Sequence, residues 1–186
     1  MHNNAILLVS SYNATGRMMS DYVRDFGKES VLFNFGLLGL VSTLLLVIFN
    51  IPINGILFGT ILATIGTTSY GLHIKNVYPV WIGCALAIAL KKILGGTVAL
   101  DMNLDIGLVV AFFFASCLAP IAGKYGIIWG IVAGFMHICI NPLSLTFQGG
   151  FDLYNNGFTA GFVAAILSVV CESIYAKERR VIRAKK

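Results

Sequence analysis

Eight side chains of this 186-residue chain place hydrogen-bonding chemistry in an apolar setting: His73 and Asn76 in one polar break, and His137, Asn141, Gln148, Tyr154, Asn155 and Asn156 around a second. Amides, a phenol and neutral imidazoles supply donors and acceptors without formal charge. That set suits the holding of a small neutral or anionic solute where few charges are tolerated. Metal chemistry is not indicated, because Cys84, Cys117, Cys139 and Cys171 fall inside apolar stretches with no CxxC and no His/Cys cluster. The cysteines are expected to be packing residues, and no cofactor is expected. Catalysis is not expected either: the spans hold no paired carboxylates, and the chain has no supported Ser/His/Asp order, phosphate loop or His-Glu-x-x-His motif.

The second break, residues 141–157, is longer and richer in amides than a connector requires. Hydrocarbon penalises such backbone unless it is buried in protein or lines a wet cavity. Leu143, Leu145, Phe147, Phe151 and Leu153 are mixed among its polar residues, which a water-exposed loop would not need. Pro79 and Pro142 cannot continue a helix behind them but suit a first turn, and Asn76 and Asn156 are suitable N-caps. Each break is therefore expected to end one half-helix and begin another, aiming unpaired N–H groups at a central cavity. The competing reading is a loop outside the membrane whose Gly and Asn supply turns. For His137 the alternatives are a structural imidazole bonded to a carbonyl and a solute ligand.

The elements that must position these residues follow from composition. The chain is 58% hydrophobic and 11% charged, with mean hydropathy +0.85, whereas soluble domains carry about 25% charged residues. An all-α polytopic membrane protein is expected, with the lipid bilayer as its first partner. Runs long enough for the hydrocarbon core give six transmembrane helices, at 31–49, 53–70, 76–94, 106–121, 125–140 and 157–175. The third is completed only if Lys91 and Lys92 snorkel toward the interface.

Orientation follows from the basic residues. With six spans, one side holds Arg17, Arg24, Lys28, Lys75, Lys124, Lys177, Arg179, Arg180, Arg183, Lys185 and Lys186, while the other keeps Lys91 and Lys92. Both termini are placed in the cytoplasm. The net charge of +5 is thereby explained without nucleic acid.

Residues 1–30 form a lead-in, 31–175 a single transmembrane domain and 176–186 a basic tail. The lead-in lacks the basic start and long apolar run of a signal peptide. Met18, Met19, Tyr22, Val23 and Phe26 recur at helical spacing and predict an interfacial amphipathic helix. Sliding the chain by 71 positions sets Gly55-Ile-Leu-Phe-Gly59 on Gly126-Ile-Ile-Trp-Gly130 and Gly36-Leu37 on Gly107-Leu108. Three spans per unit is odd, so repeats at about 31–94 and 102–175 would be inverted, as in many transporters. Gly55, Gly59, Ala63 and Gly66 lie on one face of the second span, as do Gly126, Gly130 and Gly134 on the fifth; both stripes are expected to pack helices closely. Glu172 is expected to pair with Arg179 or a neighbouring helix, and Asp101 and Asp105 to face Lys91 and Lys92 on the outer side.

Leu118-Ala-Pro-Ile-Ala-Gly-Lys-Tyr-Gly126, Gly130-Ile-Val-Ala-Gly-Phe-Met-His137, Gln148-Gly-Gly and Leu153-Tyr-Asn-Asn-Gly-Phe-Thr-Ala-Gly161 resemble the hallmark of bacterial membrane proteins grouped as domain-of-unknown-function family fifteen-seventy-six. Asn34-Phe-Gly-Leu and Gly71-Leu-His-Ile-Lys-Asn-Val-Tyr-Pro79 are similar to further elements of that family, with departures at Leu72 and Gln148. The resemblance covers about residues 21–170 and matches the family's C-terminal half. It implies a bacterial inner-membrane location and a partner, either a second copy or a related membrane chain. It brings no catalytic residues. The expected function is transport or channelling of a small polar solute; the alternative is a scaffold or accessory subunit of a membrane complex.

Overall fold

The computed structural model describes residues 2–16, 21–94, 105–150 and 154–184, and every regular element among them is helical. Helix α1 (His2–Ser11) precedes α2 (Tyr22–Ile48), whose start is fixed by Asp21 accepting the Arg24 N–H at 3.1 Å. Gly27, at φ +79°, kinks α2 after its first turns. Tyr22–Phe26 therefore form a short turn angled from the span, while Met18 and Met19 of the expected amphipathic helix lie outside the described residues.

Asn54 caps α3 (Gly55–Gly66), which a 3-10 turn extends to Tyr70. After α4 (Ile74–Leu94), the Asp105 carboxylate caps α5 (Ile106–Phe114) by accepting the Leu108 N–H at 2.9 Å. Asp105 is thus engaged by its own helix, and Asp101 lies outside the described residues. A 3-10 turn carries α5 into α6 (Ala119–Tyr125). Gly126, at φ +100°, turns the chain into α7 (Ile127–Ile140), followed by a 3-10 turn and α8 (Ser144–Phe147). The last helix, α9, runs from Asn155 to Ala184, so the basic tail continues the helix of the last span instead of leaving it at Tyr175.

Five stretches are long and apolar enough to cross a membrane: Tyr22–Ile48, Ile74–Leu94, Ile106–Tyr125, Ile127–Phe147 and Asn155–Ala176. The remaining apolar helix, Gly55–Tyr70, is shorter; its 16 residues rise roughly 24 Å against a core of about 30 Å.

The bundle is organised on α4 and α7. A Cβ on Gly83 would lie 2.0 Å from the Ile131 carbonyl oxygen, and one on Gly134 would lie 1.9 Å from that of Val80. The two backbones therefore touch, as small residues permit where no water drives helices together. Further along, Pro79 faces Gly130, and the Lys91 ammonium donates to the Ile138 carbonyl at 3.1 Å. Contacts that advance along both chains together mean that α4 and α7 run parallel. The two expected glycine stripes part company here: Gly130 and Gly134 pack closely, whereas Gly55, Gly59 and Gly66 have nothing within 4 Å of a built Cβ. Helix α3 instead turns Leu57, Ile61 and Ile65 toward the core.

Candidate functional site

Because α4 and α7 are parallel, the two polar breaks fall at opposite ends of the bundle. The first precedes α4; the second follows α7. A helix as long as α4, 21 residues, separates the two by roughly 30 Å. The eight candidate residues thus form two clusters and do not converge on one central point.

At the first break Gly71 takes φ +98° and His73 stands where α4 begins. The Asn76 carboxamide reaches back, accepting the His73 N–H at 2.9 Å and donating to the Gly71 carbonyl at 3.1 Å. Asn76 is therefore the third helical residue, reaching back to the N-cap N–H as one half of a capping box, not the N-cap that its type suggested. Pro79 sits within α4 rather than in its first turn. Both His73 and Asn76 are buried, and a stretch of the N-terminal segment covers them. The His73 Nε2–H donates to the Ala14 carbonyl at 3.1 Å, which fixes the tautomer and leaves Nδ1 buried without a partner. The Tyr12 ring meets His73 edge-on at 5.2 Å, and Lys75 donates to the Asn13 carboxamide oxygen at 3.2 Å. Burial, with a smaller contribution from the Lys75 charge, holds the His73 pKa below its ordinary value against the opposing Ala14 bond.

The second break is a 3-10 turn, Asn141–Leu143, the short α8, and a turn in which Gly149 and Gly150 adopt positive φ. Phe151 and Leu153 lie outside the described residues. The structure brings four amides together in pairs: Asn141 Nδ2 donates to Asn156 Oδ1 at 2.8 Å, and Gln148 Nε2 to Asn155 Oδ1 at 3.2 Å. These pairs join the end of α7 and α8 to the first turn of α9. Asn156 is the second residue of that helix, not its cap; Tyr154, at φ +57°, precedes the first turn and accepts the Phe158 N–H at 2.8 Å. The Tyr154 side chain is 87% exposed and stands apart from the amides.

Behind the amides lies His137, fully buried one turn before Asn141. Its polar neighbours are the Asn156 carboxamide and the Ala111 carbonyl, yet neither ring nitrogen makes a hydrogen bond of good geometry. The Thr159 hydroxyl, one turn into α9, is likewise buried without a partner. Unsatisfied groups in such a place cost about 1–3 kcal/mol each; they are not confined to this end, since Asn34, Ser42, Thr64 and Trp81 also carry buried polar atoms without a partner.

Sequence reasoning missed Lys91. Pro142 has no N–H, so the Ile138 carbonyl loses its helical donor four residues on; the Lys91 ammonium occupies that position. The signal was present in Pro142 itself, although the donor that answers it was not. Glu172 behaves as expected of a helix-pairing residue: its carboxylate accepts from Lys124 and, at 3.0 Å, from the Tyr125 hydroxyl, both at the end of α6. The cysteines are free, with Cys84 and Cys171 buried, Cys117 half-buried and Cys139 exposed. Among the described residues no group of three or more His, Cys, Asp or Glu could hold a metal ion.

Comparison with known proteins places this helical chain. The model of a family described as a protein of unknown function (DUF1576) matches residues 4–173. The chain belongs to that family. No curated protein and no solved structure matches it. The match takes in both breaks and all eight candidate residues.

Proposed function

We propose that this member of the family is a membrane transporter or channel for a small polar solute, neutral or anionic, with its two polar breaks as the two mouths of the path. The observation that carries the reading is His137, buried directly behind the amides of the second break, with the Asn156 carboxamide and the Ala111 carbonyl near its ring but neither ring nitrogen in a hydrogen bond of good geometry. In a membrane interior such groups ordinarily face a path, a cavity or one another. The finer plan belongs to the proposal: six crossings in two inverted units, α3 with its 3-10 extension serving as the shortest crossing, both termini in the cytoplasm of a bacterial inner membrane, and assembly with a second copy or a related chain. No catalytic step, metal or cofactor enters it.

A second reading, a scaffold or accessory subunit, is favoured by the pairing of the amides. Asn141 with Asn156 and Gln148 with Asn155 tie helices together whether or not anything passes.

Liposome flux decides between the two. Purified protein is reconstituted and tested with a panel of small neutral and anionic solutes, wild type beside Asn155→Leu. Transport predicts solute-specific flux above empty liposomes that the variant loses or alters. Flux identical in the variant removes the second break from the path, and no flux with any solute leaves the scaffold reading.

A further inference from the structure

The segment Ser11–Gly16 lies across the first break, and its fit there is closer than that of a surface loop. Three glycines make the fit possible. A Cβ on Gly16 would lie 2.8 Å from the Gly71 carbonyl oxygen and 2.6 Å from the Asn76 carboxamide nitrogen; one on Gly71 would lie 3.0 Å from the Gly16 Cα. On the opposite side, a Cβ on Gly123 of α6 would lie 2.2 Å from the Thr15 carbonyl oxygen, and the three nearest atoms all belong to Thr15. The segment is thus held backbone to backbone between the first break and α6.

Its remaining ties are polar, apart from the Tyr12 ring edge-on against His73. The Tyr22 hydroxyl donates to the Ser11 carbonyl, His73 to that of Ala14, and Lys75 to the Asn13 side chain. Asn13, Ala14, Thr15 and Gly16 carry little apolar surface. Release of the segment therefore forfeits a few hydrogen bonds that water can replace, each worth about 1 kcal/mol net, and the partial burial of one aromatic ring, that of Tyr12. Segments of this kind belong to the low-stability end of a fold, from which moving parts are drawn.

The geometry points to a conformational device: Ser11–Gly16 is a strap that closes the first break over His73 and Asn76, and it must leave for solute to pass that end of the bundle. This rests on the transport reading above, in which the first break is a mouth of the path. The second break is held by amide pairs and the first by the strap, so the structure has both mouths shut. Opening of the first requires no rearrangement of α4 and α7, whose backbone contact is elsewhere.

The test locks the strap in place. Asn13 and Lys75 are exposed partners across the seam, so an Asn13→Cys/Lys75→Cys pair is joined by a short, reducible bis-thiosulfonate linker in reconstituted protein, with each single variant as control for the natural cysteines. Flux of the solute established for the wild type is then followed before linking, after linking and after reduction. The strap predicts a severalfold loss on linking and recovery on reduction. It also predicts that Gly123→Ala, which displaces Thr15, lowers linking yield in the pair and raises flux in the otherwise natural chain. Flux that persists in fully linked protein overturns the inference while leaving transport intact, as does a Gly123→Ala variant with unchanged linking yield and flux. Absence of flux in unlinked and linked protein alike is the distinct outcome in which the transport reading itself fails, and the strap's role with it.

Discussion

Lys91 shows how one missing proton shapes a helix end. Proline at position 142 deprives the Ile138 carbonyl of its donor, and an ammonium from the neighbouring helix supplies one at 3.1 Å. A carbonyl left bare at such a site costs more than an ordinary lost hydrogen bond, so Lys91→Met is expected to lower stability by about 1.5–3 kcal/mol. Pro142→Ala returns an N–H to the same carbonyl, and in that background the loss on Lys91→Met should shrink. Reversible unfolding in mixed micelles measures the four proteins of this cycle, and the coupling between the two sites is the informative number. Equal losses in the two backgrounds would show that Lys91 acts on something other than the carbonyl that Pro142 frees.

Among the elements, the contrast between α3 and α7 explains what sequence can and cannot reveal. Both helices carry small residues at i, i+4 spacing, and both stripes were legible as faces. Only that of α7 is used closely, because Gly134 meets the Val80 carbonyl while Gly59 meets nothing. Spacing describes one helix; which neighbour arrives is settled by the whole bundle. Gly83, the partner across the seam, belongs to no stripe and gave no signal. The breaks themselves were legible from Pro, Gly and Asn, since their backbone chemistry is local, but the exact cap was not. Asn76 acts from the third helical position, a role that depends on the chain before it. The strap was illegible for the same reason: Asn13-Ala14-Thr15-Gly16 has no periodicity, and its fit exists only against Gly71 and Gly123. Gly134→Ala is accordingly expected to force α4 and α7 apart and cost about 1–3 kcal/mol or more, whereas Gly59→Ala should be neutral or stabilising by up to about 1 kcal/mol, through helix propensity. Thermal unfolding of the two variants in one detergent makes the comparison. Equal melting temperatures would mean that the α4–α7 seam relaxes around an added methyl.

Across the whole molecule, docking of the strap is linked to protons through His73, which lies just ahead of the span that begins at Ile74. With the strap in place, burial is the largest influence on this imidazole and lowers its pKa from the ordinary 6.5; the Ala14 bond raises it in part, and the Lys75 ammonium lowers it again. Tyr12 packs edge-on against the ring, its own phenol pushed up by burial. A pKa lower in the docked state than in the released state means that docking favours the neutral ring. Docking strength is therefore full above the ordinary histidine range and weakens as pH falls through 6.5 toward the lowered value, because the released state gains the proton first. The reciprocal consequence is the sharper one to measure. Freeing the strap removes burial, the largest influence, together with the smaller opposing Ala14 bond, so it is expected to raise the His73 pKa, and Gly123→Ala tests this without touching the imidazole. Histidine-selective isotope labelling with NMR titration in nanodiscs should give a His73 midpoint below 6.5 in the wild-type protein and a higher one in Gly123→Ala. The same midpoint in both would mean that His73 is insulated by the break itself, and that strap and proton are not coupled.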